Sequence, residues 1–390
     1  MNENEMLLKY MNENIDIFEE SLKKAVLIET PTDGDKKDLV DCRNYFQSLF
    51  EGIGCKCTVV HTENEHYGGH LLIEYGDGDE QILFIGHYDT AYAKGTFGPS
   101  LWVKEGNKIK GPGTLDMKGG DVQVYMIIRA LKELKLMPKN KKIVFFLSCD
   151  EEAGSYTSHK HYEELGKKSK AAFVMEGGMG DDIGGCTIGR FGRGNYKFFA
   201  KGVTAHSGNA PFDAESGLIE LAKQAVKLES YTDYNKAVSV ACTSLHSGNA
   251  GWPTVPGEAE LSIDARFSTL NYAQEYDEKF QQLESFNKKV KIITKGGLEK
   301  PPYDKDAPYN KALFEKAIEI GKEFGLKLDG RIEMGGTDGN FTSSVGCPTL
   351  DGLGMTGDFV HQPDKEYINL DHVAVRGAFV AKVVLETLRS

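Results

Sequence analysis

The sequence predicts an α/β fold: a mixed, mainly parallel sheet with helices on both faces, joined to a second, two-layer α+β domain inserted into the chain. Short apolar strands alternate with amphipathic helices up to about residue 176, which is typical of parallel sheets covered on both sides. Acidic and imidazole side chains follow several strand ends, where open α/β sheets bind their ligands. A change in element order near residue 190 predicts the insertion.

The elements before residue 191 follow from the spacing of apolar residues. Recurrence every three or four positions predicts helices, and short continuous apolar runs predict buried strands. The second helix ends at Gly52 and Gly54, because glycine is common where helices stop. In chain order, we expect helices at 15–31 and 36–51, strands near 55–60, 70–75 and 81–86, a helix at 121–136, a strand at 143–147, a helix at 158–167 and a strand at 171–175.

The second half of the chain has a different order of elements. A β-α-β-β-α-β succession suits a small two-layer domain, and a return to longer helices follows Pro301-Pro302. We therefore expect a discontinuous catalytic domain of residues 1–191 and 304–390 with residues 192–303 inserted as a lid. The predicted elements are strands at 194–201, 237–243, 257–267 and 289–294 with helices at 213–229 and 271–287, then a helix at 308–325, strands at 331–333 and 347–351 and a helix at 371–388.

Composition excludes several classes of partner. The chain has 390 residues and a net charge of −12 with no basic block, which argues against a nucleic-acid or anionic-membrane partner. No apolar stretch approaches the roughly 20 residues of a membrane helix. The N-terminus is polar and has no signal-peptide core, and the seven cysteines are scattered. We therefore expect a cytoplasmic protein with reduced cysteines.

Residues of the kind that bind metal ions lie where predicted strands or glycine-rich turns end. Zinc prefers imidazole and carboxylate ligands. A pair of ions needs terminal ligands on each side and one shared carboxylate, and Asp116, in a glycine-rich turn, suits that bridging position. We expect the metal ligands to be His87, Asp116, Glu152, Glu176 and His361.

Two further residues accompany these ligands. Glu151 adjoins Glu152 but points the other way along an extended chain, so it is placed to accept a proton from the attacking water. Asp89, two residues after His87, can hydrogen-bond the imidazole and fix its tautomer. Taken singly, each residue also has a structural explanation: a histidine at a strand end is more often a hydrogen-bonded structural residue, and a Glu-Glu pair is usually a solvated turn or the start of a helix.

Other histidines carry no such pattern. We expect five of them to lie at the surface: His61, His66, His70, His159 and His161.

An ordered set of motifs runs along the chain, in segments 86–90, 113–120, 150–155, 175–177, 202–208, 263–266, 335–339 and 361–367. Together these motifs resemble the co-catalytic zinc peptidases and amidohydrolases, the family of bacterial glutamate carboxypeptidase, carnosinase, aminoacylase and succinyl-diaminopimelate desuccinylase. The resemblance runs from about residue 20 to the end of the chain.

The resemblance implies how the ligands divide between two ions per subunit. His87 and Glu176 would complete one zinc, Glu152 and His361 the other, and the Asp116 carboxylate would bridge them. A cis peptide bond from Asp116 to the next residue would let this carboxylate face both ions. Cobalt or manganese are possible substitutes for zinc.

The resemblance also implies roles around the metals. Glu151 matches the general base. His206 matches a lid histidine that stabilises the oxyanion from a neighbouring subunit, which predicts a homodimer formed through the lid. Arg266 matches an arginine that grips the terminal carboxylate of the substrate. A backbone loop lining the substrate pocket is matched by Gly336, Thr337 and Asp338.

One segment departs from the family. Many members place an asparagine in the lid just before the Asp-x-Arg strand, whereas this chain has Pro253 there. Proline cannot donate a hydrogen bond, so the preference for a C-terminal glutamate is left open. Asn249 is the candidate substitute.

Together with the resemblance, these residues predict a di-zinc hydrolase of a peptide or acyl-amide bond next to a free carboxylate, acting on a small peptide like a glutamate carboxypeptidase or a dipeptidase. The alternative is a deacylase of N-acyl amino acids with the same metals. A metal-dependent binding protein without catalysis is the third possibility, and the presence of Glu151 argues against it.

Overall fold

The structure is a computed structural model, and it describes residues 1–178, 180–248, 251–363 and 365–390. The chain divides into two compact units. The first unit comprises Met1–Gly189, Lys305–Glu333 and Thr337–Ser390, and the second comprises Arg190–Asp304 and Met334–Gly336.

The described residues form ten α-helices, and none of them is long and apolar enough to span a membrane. The helices are α1 (Glu3–Glu13), α2 (Ile15–Val26), α3 (Lys36–Glu51), α4 (Gly119–Glu133), α5 (His159–Lys168), α6 (Gly217–Glu229), α7 (Leu270–Gln281), α8 (Pro308–Glu323), α9 (Gly339–Ser344) and α10 (Leu370–Arg389).

The strands vary from two to ten residues in length. In chain order they are β1 (Lys56–Val60), β2 (His70–Gly76), β3 (Glu80–His87), β4 (Val103–Glu105), β5 (Lys108–Lys110), β6 (Lys141–Ser148), β7 (Ser169–Val174), β8 (Gly185–Arg190), β9 (Gly192–Lys201), β10 (Ala205–His206), β11 (Val238–Ser247), β12 (Thr254–Val255), β13 (Glu258–Phe267), β14 (Lys291–Lys300), β15 (Asp329–Glu333), β16 (Thr349–Leu350), β17 (Gly357–Asp358) and β18 (Tyr367–Asn369).

The first unit is built on a six-stranded sheet in the order β1-β2-β6-β3-β7-β16. Strands β6, β3, β7 and β16 are parallel, whereas β2 is antiparallel to β6 and β1 is antiparallel to β2. The prediction of a mixed, mainly parallel sheet is confirmed. A smaller sheet in the order β17-β18-β5-β4 accompanies it.

The central position of strand β3 explains why its sequence is a continuous apolar run. Ile82 and Phe84 face one core together with residues of α4 and α10. Leu83 and Ile85 face the opposite core, which includes Tyr162 of α5. A strand buried on both faces has no polar face to alternate, and helices cover both sides of this sheet.

The second unit contains a four-stranded antiparallel sheet in the order β11-β13-β9-β14. Alternate residues of β9 and β13, such as Phe198 and Ile263, pack with Tyr276 and Phe280 of α7 and with Leu221 of α6. Both helices therefore cover one face of the sheet. Strand β11 lies at one edge, and β10 and β12 form a separate two-stranded ribbon.

Some boundaries differ from the prediction. Helix α2 ends at Val26 rather than at residue 31. The residue before a proline avoids the helical region, so Pro31 prevents a helix from continuing to the predicted end. The chain from Thr30 to Thr32 instead runs beside Thr90, with hydrogen bonds in both directions. Helix α1 and the β4–β5 hairpin were not predicted, since the first is rich in polar residues and the second is short.

Candidate metal centre

Three neighbouring parallel strands bring three of the predicted ligands to one edge of the sheet. Strand β3 ends at His87, β6 ends four residues before Glu152, and β7 ends two residues before Glu176. Because β6, β3 and β7 are adjacent and parallel, their carboxyl ends lie side by side, where open α/β sheets place their sites.

The other two ligands come from turns. Asp116 lies in the irregular turn Thr114–Lys118 that leads into α4, and Gly113 before it has a φ of 76°, which favours glycine. The peptide bond from Asp116 to Met117 is cis, as the resemblance implies. His361 lies between β17 and β18 and also has a positive φ, 62°.

Asp116 lies between two imidazoles and offers a different oxygen to each. Its Oδ1 is 3.2 Å from His87 Nε2, and its Oδ2 is 3.2 Å from His361 Nε2. Glu176 Oε1 is 3.4 Å from His87 Nε2, and Glu152 Oε1 is 3.7 Å from His361 Nε2. The five residues thus form two groups, each with one imidazole and one glutamate, that share the Asp116 carboxylate.

The donor atoms fit cations. His87 Nδ1 lies 3.0 Å from the carbonyl oxygen of Asp89 and 3.3 Å from its Oδ1, so Nδ1 is the nitrogen placed to carry a proton. Nε2 then carries a lone pair and no proton. This buried atom makes no hydrogen bond, although carboxylate oxygens face it. Such an arrangement needs positive charge between the nitrogen and the oxygens, and a divalent ion supplies it.

The pKa values of these residues reflect the close approach of buried carboxylates and imidazoles. Burial, together with the charge of Asp116, raises the pKa of Glu176 to about 8 and that of Glu152 to about 7. The nearby carboxylates of Asp116 and Glu152 raise the pKa of His361 to about 10. Burial opposes ionisation of Asp116, but His361 and His87 outweigh it and keep its pKa below the usual range.

Asp89 contacts more parts of the candidate metal centre than the sequence indicated. Its side chain is fully buried. Besides facing His87, its Oδ1 accepts the backbone N–H of Glu151 at 3.3 Å and its Oδ2 accepts that of Glu152 at 3.1 Å. The hydroxyl of Thr32 donates to Oδ2 at 2.7 Å. One carboxylate therefore orients an imidazole on β3 and the loop that follows β6.

Glu151 is half-buried next to Glu152, with its backbone fixed by Asp89. Its role as a proton acceptor stays a prediction.

In the second unit, His206 is exposed and its ring is oriented by the backbone. Nδ1 accepts the N–H groups of Gly208 at 3.1 Å and Asn209 at 3.0 Å. A nitrogen that accepts hydrogen bonds carries no proton, so the neutral ring has its proton on Nε2. The carbonyl oxygen of Pro253 accepts both the N–H and the hydroxyl of Ser207, at 2.8 and 3.0 Å. Asn249, the proposed substitute for the family's asparagine, lies outside the described residues.

Arg266, also in the second unit, is paired within its own strand. Its Nε donates to Asp264 Oδ1 at 2.7 Å and its Nη2 to Asp264 Oδ2 at 3.1 Å. Residues two apart on a strand share a face, so this bidentate pair fixes the guanidinium plane.

The predicted substrate loop turns its side chains inward. Thr337 and Asp338 are buried. The Thr337 hydroxyl donates to Asp351 at 2.7 Å, and the Asp338 carboxylate accepts the Ser155 hydroxyl. Gly336 groups with the second unit by its contacts. Any contact of residues 337 and 338 with a substrate therefore falls to their backbone.

The prediction of a surface position for His70 is wrong. His70 begins β2, is fully buried, and its Nδ1 accepts the N–H of Cys149 at 3.3 Å. The run Leu71–Ile73 after it was the signal that could have indicated burial. His61 and His66 are exposed, as expected, while His159 and His161 are half-buried.

Comparison with known proteins identifies the family. The model for Peptidase family M20/M25/M40 matches residues 83–386, so the chain belongs to this family, and the expectation of a metallopeptidase is confirmed. The family is metal-dependent, in agreement with the ligand cluster of His87, Asp116 and Glu152.

Individual relatives cover nearly the whole chain. It is 26% identical over 373 residues to carboxypeptidase G2 of Pseudomonas sp. (strain RS-16), covering 94% of this chain and 88% of that protein. It is 24% identical over 379 residues to succinyl-diaminopimelate desuccinylase of Rickettsia bellii (strain OSU 85-389), covering 88% and 91%. The crystal structure of aminopeptidase PepT from Bacillus cereus ATCC 10987 has the same fold, with a TM-score of 0.73, 17% identity and coverage of 96% and 98%.

Proposed function

We propose that this protein is a di-zinc hydrolase that cleaves a peptide bond next to a free carboxylate, in the manner of a carboxypeptidase or dipeptidase. The observation that carries the proposal is the position of Asp116, whose two carboxylate oxygens each lie 3.2 Å from a different imidazole, that of His87 or His361. A shared carboxylate between two histidine–glutamate groups is the arrangement that two adjacent ions require.

The ligands divide accordingly: His87 and Glu176 for one ion, Glu152 and His361 for the other, with Asp116 between them. When bound, the ions supply Lewis acidity, which lowers the pKa of water and polarises the scissile carbonyl. Glu151 takes the proton of the attacking water and passes it to the leaving amine. Asp89 keeps the proton of His87 on Nδ1, so that Nε2 stays a ligand.

His206 is the proposed oxyanion donor. Its Nδ1 already accepts two backbone N–H groups, which leaves the Nε2–H as the free donor of a neutral ring. A fixed N–H donor aimed at a developing negative charge stabilises a tetrahedral intermediate. The hydrogen bonds of Gly208 and Asn209 thus select the tautomer that this role needs.

Arg266 is the proposed anchor for the terminal carboxylate of the substrate. Asp264 occupies the edge of the guanidinium formed by Nε and Nη2. The edge formed by Nη1 and Nη2 still presents two parallel N–H donors, which match a second carboxylate. The pairing with Asp264 therefore orients Arg266 without using up its capacity for a substrate.

We further propose a homodimer formed through the second unit, with His206 acting at the partner's metals. Strand β11 is an edge strand of its sheet, and edges are places where a second strand adds readily. Ile219 and Val226 of α6 are 55% and 75% exposed, and two large apolar side chains two turns apart on one helix favour a covering partner.

The cytoplasmic location stays a prediction.

A deacylase of N-acyl amino acids is the second candidate function, because the desuccinylase relative covers most of the chain. Both reactions place a carboxylate beside the scissile amide, so the metal centre does not separate them.

One assay tests both candidates. The protein is depleted of metal, restored with zinc, and incubated with a matched panel of dipeptides, N-acyl amino acids and their carboxamide derivatives. We expect zinc-dependent cleavage of compounds with a free carboxylate and loss of cleavage on amidation. Equal cleavage of the amidated compounds would contradict the proposal, and the ratio of peptide to N-acyl turnover chooses between the two candidates.

A further inference from the structure

Glu366 is a buried acid that the proposed mechanism does not use. Its side chain is fully buried, and burial raises its pKa to about 7. A polar group in such a place costs free energy unless its hydrogen bonds are made. The contacts of Glu366 therefore indicate what it is there to hold.

Both carboxylate oxygens are used. Oε1 accepts the backbone N–H of Leu115 at 3.3 Å, and Oε2 accepts the hydroxyl of Tyr92. Leu115 directly precedes Asp116. The Tyr92 ring lies edge-on to the imidazole of His361, with ring centroids 6.3 Å apart and an interplanar angle of 86°.

One carboxylate thus joins three segments that carry ligands. Tyr92 follows His87 on the loop after β3, Leu115 precedes the shared Asp116, and Glu366 itself follows His361 before β18. Phe97 packs edge-on against Tyr92, with ring centroids 4.8 Å apart.

We propose that Glu366 and Tyr92 are positioning residues that set the distance between Asp116 and His361, and with it the geometry of the second metal position. The inference rests on the proposed two-ion centre. The hydrogen bond to Leu115 fixes the backbone from which Asp116 projects, and the bond to Tyr92 fixes the ring against which His361 rests. Partners of this kind typically change metal affinity by about 10- to 100-fold when they are lost.

The role depends on hydrogen bonds rather than on charge, and this distinction can be tested. In Glu366→Gln, the amide oxygen can still accept the Leu115 N–H, and the amide nitrogen can donate to the Tyr92 oxygen. In Glu366→Leu, the Leu115 N–H and the Tyr92 hydroxyl lose their buried partner. The glutamine variant should therefore keep the metal affinity that the leucine variant loses.

The experiment titrates metal-free protein with Co²⁺, following the heat of binding and the visible absorption of the bound ion. We expect wild type to bind two ions. Glu366→Gln should bind both with affinities within about threefold of wild type, whereas Glu366→Leu should bind the second ion at least about tenfold more weakly, with an altered spectrum.

Glu220 in the second unit offers a matched control. It is also a buried glutamate, and it accepts the backbone N–H groups of Phe286 at 2.8 Å and Asn287 at 2.9 Å. Glu220→Leu should lower thermal stability but leave cobalt stoichiometry, affinity and spectrum unchanged.

Two results overturn the inference: normal binding of the second ion by Glu366→Leu, or a glutamine variant as defective as the leucine variant. If Glu366→Leu does not fold, Tyr92→Phe decides, because it removes only the hydroxyl. Weaker binding of the second ion by Tyr92→Phe supports the inference, and wild-type binding overturns it. A wild-type protein that binds a single ion would instead refute the proposed two-ion centre, so the two failures are distinguishable.

Discussion

Asp89 Oδ2 accepts the backbone N–H of Glu152 at 3.1 Å, so the residue that orients one proposed ligand on β3 also holds a second on the loop after β6. Asp89→Asn keeps the shape of the side chain but replaces one acceptor oxygen with a donor that repels an N–H group. We expect zinc affinity to fall by about 10- to 100-fold, as measured by competition with a chelator. Unchanged affinity would show that the backbone carbonyl of Asp89 suffices to orient His87.

The shared position of Asp116 predicts a cooperative loss. Asp116→Ala should remove both ions, because each depends on one of the two carboxylate oxygens. Metal content after gel filtration checks this result, with circular dichroism to show that the variant is folded. His361→Ala is the comparison: it should deplete one ion more than the other, and two retained ions in Asp116→Ala would reject the bridging role.

Glu151 should separate metal binding from turnover. Glu151→Gln keeps the size of the side chain and leaves all five proposed ligands in place, so metal content should stay normal. Turnover should fall by about 10²- to 10⁴-fold, the usual contribution of a general base. Steady-state kinetics on the best substrate of the panel provides the measurement, and near-normal kcat would eliminate Glu151 as the base.

Metal uptake by the metal-free protein should strengthen as pH rises, because ions compete with protons for the ligands. Burial raises the pKa of Glu152 to about 7 and that of Glu176 to about 8, and carboxylates raise that of His361 to about 10. Each group must lose its proton to bind a cation, so affinity falls as pH drops through this range. Calorimetry in buffers of different ionisation enthalpy should show protons released on binding; the absence of release near neutral pH would contradict the raised values.

The proposed dimer can be tested by complementation. Glu151→Gln and His206→Ala are each expected to be inactive. If His206 acts across the dimer, a mixed dimer has one site with both residues intact. Random exchange of equal amounts should then restore about a quarter of wild-type activity, with the sites independent. No recovery, despite exchange demonstrated with tagged subunits, would mean that His206 serves its own chain.

The sequence was most informative where polarity changes sharply along the chain. His87 and Glu176 follow runs that only a buried strand explains, and parallel strands must align their carboxyl ends, so their proximity could be predicted. Glu366 gave no such contrast, and the apolar run Leu71–Ile73 beside His70 was overlooked as an indication of burial. Their importance lies in contacts with Leu115 and Cys149, made across large sequence separations, and a single sequence does not reveal which polar residues are buried. The double role of Asp89 was missed for the same reason, since its second set of partners is backbone N–H groups.

The order β6-β3-β7 has a further consequence for folding. Each of these adjacent strands ends at or shortly before a proposed ligand. Ions bound there would therefore connect the ends of the three strands, and their binding free energy would add to the stability of the sheet centre. The antiparallel edge, β1 and β2, would gain none of it directly. Slow amide hydrogen exchange in the centre would then depend on the bound metal, while the edge would open at its own rate. In this protein the bound ions would then stabilise the folded sheet as well as serve catalysis.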